Sequence, residues 1–266
     1  MSIIKLIYKW VVYSNLWIAL GAAGMTWVNS LIIYNKVNVN MLILSFLITL
    51  GAYNFQRIRR AKEVFSSDTK DKWLSRNSLV LVIVLIISFV ASLFFLIDLQ
   101  FQKLIIFAPF LLITLLYRWP ILGVSLRDIP FIKILLIASC WGGVTVLLPL
   151  LYYNDQFFFP WQYIFVSALY IIGITIPFDS RDLDIDTDQK KTIPQLIGVR
   201  NACFLAISLL LFCAIIFSVM NHKVMIFHCL FSAFLVSFSY KKRPDWYYSF
   251  ILDGLLVIMP IYYIIY

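Results

Sequence analysis

Five of the chain's 13 acidic residues fall within ten positions: Asp179, Asp182, Asp184, Asp186 and Asp188, inside PFDSRDLDIDTDQKKTIPQLIG from Pro177 to Gly198. Carboxylates crowded this closely repel one another, and a cation is the natural compensation. On a helix advancing about 100° per residue, Asp179, Asp182 and Asp186 share a face about 60° wide, and Asp184 and Asp188 fall on the other side. Three carboxylates converging on one point suit Mg²⁺ held by a few side chains together with the oxygens of a phosphorylated substrate. A solvated acidic loop next to a helix end is the other reading of the same run.

The elements that must position these residues are membrane spans. The 266 residues are 62% hydrophobic and only 13% charged, with a mean hydropathy of +0.91. A soluble domain runs nearer half apolar and a quarter charged, so a water-soluble globule, a disordered chain and a disulfide scaffold are excluded. Cys140, Cys203, Cys213 and Cys229 lie in apolar runs without metal-binding spacing and read as small core residues.

Nine apolar stretches follow along the chain, at 10–34, 41–56, 78–98, 104–119, 131–153, 159–178, 201–220, 224–239 and 247–265. The first is read as a retained span, because its apolar run continues past Ala22-Ala23-Gly24. Short, nearly uncharged connections alternate with long charged ones at 57–77, 118–130, 179–200 and 241–246. Of the 22 Lys and Arg residues, only Lys36, Lys103 and Lys223 fall on the uncharged side. The positive-inside rule therefore predicts a cytoplasmic N-terminus, cytoplasmic charged loops and an external C-terminus, with a bacterial inner membrane as the expected setting. The net charge of +9 is explained by the same rule, and no nucleic-acid partner is expected.

At the aspartates the sequence resembles the UbiA superfamily of intramembrane prenyltransferases. The second aspartate motif of that family reads D-x-x-D-x-x-x-D, then basic residues, Thr-Leu-Pro and a Gly. It is matched by Asp179, Asp182, Asp186, Lys190 and Lys191, Thr192-Ile193-Pro194 and Gly198, one residue shorter in the middle. Leu126-Arg127-x-Ile-Pro130-x-x-Lys133, leading into a stretch with Trp141 and Pro149, is similar to the family's entry into its fifth helix. The resemblance implies an all-α bundle of nine transmembrane helices around a lipid-open cavity, a single domain over 1–266 capped by the loops about 57–77 and 179–200. It implies transfer of a prenyl group from a prenyl diphosphate to a lipophilic acceptor, with Mg²⁺ on Asp179, Asp182 and Asp186. Asp182 and Asp186 would serve catalysis directly, and Asn54, Arg57, Lys133, Lys190 and Lys191 would bind the diphosphate.

The first aspartate motif departs from the family's N-D-x-x-D-x-x-x-D. Asn54 is present, but Phe55, Ile58 and Lys62 stand at the aspartate positions, among Arg57, Arg59 and Arg60. Guanidinium groups can bind a diphosphate and neutralise it without a metal. The same run also serves as a positive-inside anchor. This leaves two functional readings: a transferase, or a fold of the same type retained as a lipid-binding or assembly subunit with a protein partner. A transporter finds little support, since intramembrane charge is almost absent. The exception is Asp253 in the last stretch, either a functional carboxylate or a helix–helix hydrogen-bonding group toward Asn15, Asn29 or a hydroxyl. His228 reads as a packed, neutral residue.

Overall fold

The computed structural model describes residues 3–63, 69–97, 105–117, 125–129, 132–153, 159–183 and 191–265. Asp184, Asp186, Asp188 and Lys190 lie outside the described residues. The described chain is all α, with no strand. Its helices are α1 (Ile3–Tyr8), α2 (Leu16–Tyr34), α3 (Val39–Glu63), α4 (Thr69–Arg76), α5 (Ser78–Leu96), α6 (Ala108–Leu116), α7 (Ile132–Gly142), α8 (Leu148–Tyr153), α9 (Trp161–Arg181), α10 (Ile193–Val219), α11 (Lys223–Ser237) and α12 (Asp253–Ile265). Wider π-helical turns at Lys9–Tyr13, Gly143–Leu147 and Tyr247–Leu252 lead into α2, α8 and α12.

Among the described residues eight helical segments are long and apolar enough to cross a membrane, which makes this an all-α membrane protein. The predicted fourth stretch forms a shorter apolar helix, Ile105–Leu116. Large apolar side chains face outward along the bundle, among them Leu79, Phe94, Ile215 and Ile265. In lipid this costs nothing, so packing between helices rests on close approach rather than on burial from water. Gly24 of α2 illustrates it: a Cβ there would lie 2.6 Å from the Leu256 carbonyl oxygen of α12.

The helices pack in two strings. One runs α5, α3, α2, α12, and the other runs α7, α9, α10, α11. The Gly143–Leu147 turn joins them by packing on α2. A cavity of about 320 Å³ lies between α2, α3, α7, α9 and the last helix, with α4 and α6 also contributing to its wall.

Two helix boundaries matter for this cavity. The continuous apolar run from residue 10 is broken at Asn15, whose φ of 68° is left-handed. The break leaves carbonyl groups without intrahelical donors, and these require other partners. At the acidic run, α9 ends at Arg181, with Asp182 as its C-cap. The helix that would array three aspartates on one face thus extends only to the first of them; further carboxylates at this end would oppose the helix dipole. Thr192-Ile193-Pro194 begins α10, where Gln195 Oε1 accepts from the Thr192 N–H at 2.8 Å. Gly198 then takes φ 80° and ψ 156°, a conformation essentially confined to glycine.

Candidate functional site

The cavity is sharply amphipathic. Arg57, Lys70, Asp71, Arg127, Lys133, Asp179, Arg181 and Asp182 line its charged part. Ile18, Ile113, Ile137, Cys140, Trp141, Ile174 and Leu256 line the rest. A chamber so divided suits an elongated ligand with a charged head and an apolar tail.

Asp179 is the deepest of the motif's described aspartates. It sits in the last turn of α9, 3% exposed, and Lys133 Nζ in the first turn of α7 donates to its Oδ1 at 2.5 Å. Ion pairing at this depth neutralises two charges that could not be buried singly. Asp182, half-buried, is gripped at both oxygens by Arg181, with Nε to Oδ1 at 2.8 Å and Nη2 to Oδ2 at 3.3 Å. The remaining arm of Arg181 reaches the last helix, where Nη1 donates to Asp245 Oδ1 at 2.9 Å and to Ser249 Oγ at 3.3 Å. The Arg181 guanidinium lies over the Phe178 and Tyr248 rings, at 5.2 and 5.6 Å. Planar stacking and a fixed fork of donors hold this cation at the rim of the cavity.

The two candidates on α3 serve the break at Asn15. Asn54 is fully buried, and its Nδ2 donates to Ser14 O at 3.1 Å and to Leu50 O at 3.0 Å. Its Oδ1 accepts from Asn15 Nδ2 at 3.0 Å. Arg57, one turn later, donates from Nη1 to Tyr13 O at 2.7 Å and also lines the cavity. Asn54 stands behind the wall, and Arg57 stands in it. Lys191 is exposed, with φ 44°, just ahead of α10.

The described residues do not form a Mg²⁺ centre of their own. Asp179 and Asp182 each face a cation supplied by the chain, and no group of three His, Cys, Asp or Glu among the described residues is placed to share a metal. Lys133 pairs with Asp179 and Arg181 with Asp182.

Arg181 and Tyr53 line the cavity without standing out in the sequence. Arg181 lies between two motif aspartates and looked like ordinary loop charge. Tyr53, whose hydroxyl accepts from Trp141 Nε1 at 3.3 Å, precedes Asn54 by one residue. Asp253 reaches the same cavity from the last helix. Asn15 and Asn29, its expected partners, bond instead to Asn54 and Thr145.

No protein-family model matches the sequence, and no curated protein does either.

Proposed function

We propose that this protein is an intramembrane prenyltransferase of the UbiA type, which takes a prenyl diphosphate into the cavity and transfers its prenyl group to a lipophilic acceptor. The observation that carries this reading is the juxtaposition, in one cavity, of a cation-rich end and an apolar, aromatic one. Asp179 and Asp182 of the second aspartate motif line the charged part of that cavity. Prenyl transfer breaks an allylic carbon–oxygen bond and builds negative charge on the departing diphosphate, so its catalysis rests on fixed cations around the leaving oxygens. Arg57, Lys133 and Arg181 supply such cations on three different helices, each held by hydrogen bonds or ion pairs. Asp179 and Asp182 act here by holding those cations in place, and Asn54 by holding the helix break beside Arg57.

In this reading the chain has nine spans, Ile105–Leu116 being the fourth. The charged end of the cavity faces the cytoplasm, where the Lys- and Arg-rich loops belong. In this reading the chain's own cations meet the head group beside the Mg²⁺ that the resemblance implies on Asp179, Asp182 and Asp186.

The rival is a catalytically silent protein of the same fold that binds a lipid or assembles with a partner. The engagement of Asp179 and Asp182 in ion pairs favours it. The two are separated by incubating the purified full-length chain in lipid nanodiscs with radiolabelled farnesyl or geranylgeranyl diphosphate and a membrane lipid extract. Release of inorganic diphosphate together with a prenylated lipid supports the transferase. Retention of intact prenyl diphosphate on the protein without release supports the silent binder.

A further inference from the structure

Asp253 is the one carboxylate in the described cavity wall that lies well inside a span and has no ion pair. Asp179 and Asp182 are neutralised by Lys133 and Arg181, and among the described residues no side chain hydrogen-bonds to Asp253. Its place is set by the last helix. Asp245, Ser249 and Asp253 follow one another at four-residue spacing, and the first two bond to Arg181. Asp253 is therefore a turn further into the bundle, at the end of the π-helical turn Tyr247–Leu252 and just before the apolar wall residue Leu256. A carboxylate at such a depth is expensive and in membrane proteins marks function.

We propose that Asp253 is the counter-charge to the allylic cation formed during transfer, and the group that takes the acceptor's proton. This rests on the transferase reading above. With the diphosphate on Arg181 and its neighbours and the tail among Trp141, Ile174 and Leu256, the first carbon of the prenyl group lies where the cationic wall gives way to the apolar one. Asp253 stands at that junction. The allylic C–O bond breaks and its electron pair leaves on the diphosphate, so positive charge develops on the prenyl carbon. An electron pair of the acceptor forms the new bond to that carbon, and the positive charge moves to the acceptor. The acceptor's proton then passes to a carboxylate oxygen of Asp253, and from there to water at the charged mouth. The acceptor is accordingly a nucleophile with a proton to lose: a hydroxyl group, or a ring carbon activated by one. A carboxylate in a low-dielectric wall discriminates strongly between a cation and its uncharged isostere.

The test needs no acceptor. Full-length protein in nanodiscs is titrated with farnesyldimethylamine, a cation at neutral pH, in the presence of inorganic diphosphate. The uncharged hydrocarbon of the same shape is titrated alongside. The wild type is expected to bind the cation at least tenfold more tightly. Asp253→Asn should lose this preference while still binding the hydrocarbon, which also reports that the site is folded, and Asp253→Glu should restore it. If Asp253→Asn does not fold, the wild-type comparison and Asp253→Ser decide. No preference in the wild type, or one that survives loss of the carboxylate, overturns the assignment. Farnesyl S-thiolodiphosphate is titrated in parallel. Its normal binding in that case leaves the transferase reading standing, and its failure to bind removes both.

Discussion

Lys133 and Asp179 are separated by 46 residues in sequence and by 2.5 Å in space. Their pair ties the first turn of α7 to the last turn of α9 beside the cavity, with only 14% and 4% of the two side chains exposed. Removing one partner leaves a buried, uncompensated charge. Lys133→Met or Asp179→Asn alone is expected to cost about 3–5 kcal/mol of stability, and the double substitution much less than the sum. A double-mutant cycle by thermal unfolding in detergent checks this; additive losses would show that the two do not act as a pair.

Arg181 grips Asp182 at the end of α9 and joins α9 to the last helix through Asp245 and Ser249. Lysine keeps the charge and loses the planar fork, so Arg181→Lys is expected to weaken binding of a prenyl diphosphate analogue by about tenfold or more, roughly 1.4 kcal/mol. An equal affinity would mean that charge alone is read at this position.

Much of the bundle was legible because unbroken apolar runs have few alternatives to a span: 78–98, 131–153 and 247–265 were placed within two residues of the helices Ser78–Leu96, Ile132–Tyr153 and Tyr247–Ile265. The break at Asn15 was not legible, since Trp10 to Tyr34 is apolar almost throughout. It is held by Asn54 and Arg57 from another helix, a tertiary cause that local composition does not carry. The aspartates were found by their spacing, but a helical wheel could not foresee that α9 stops at Arg181. Nor could it foresee that the neutralising cations would be Lys133 and Arg181. Asp253 stood out as a carboxylate in an apolar run; its place in the cavity depends on the π-helical turn before it.

Close approach of α2 and α12 gives a third prediction. Gly24→Ala puts a methyl group 2.6 Å from the Leu256 carbonyl oxygen and against the Pro260 ring, so the helices must separate. A loss of about 1–3 kcal/mol is expected, seen as a lower Tm. An unchanged Tm would contradict the packing of these two helices.

His222, in the connection between α10 and α11, shares a hydrogen bond with Tyr163 Oη at 3.0 Å, and burial lowers its pKa from the ordinary 6.5. Because the folded value is the lower one, the unfolded chain binds the extra proton first. Stability should be full above pH 6.5 and fall as the pH drops from there toward the folded-state value. Tm measured between pH 8 and pH 5, about 1.5 units either side of an ordinary histidine pKa, should show this decline, flattened in His222→Gln. An identical slope in the variant would assign the decline to other groups.

The most direct measurement is binding of farnesyl and geranylgeranyl S-thiolodiphosphates to the purified full-length protein, in Mg²⁺ and in EDTA, repeated on Arg57→Ala, Lys133→Met and Arg181→Lys. A head-group site built from the chain's own cations predicts saturable binding that changes less than about tenfold with EDTA, and that weakens in the three variants. Absence of binding to the wild type, or binding indifferent to all three substitutions, would contradict it.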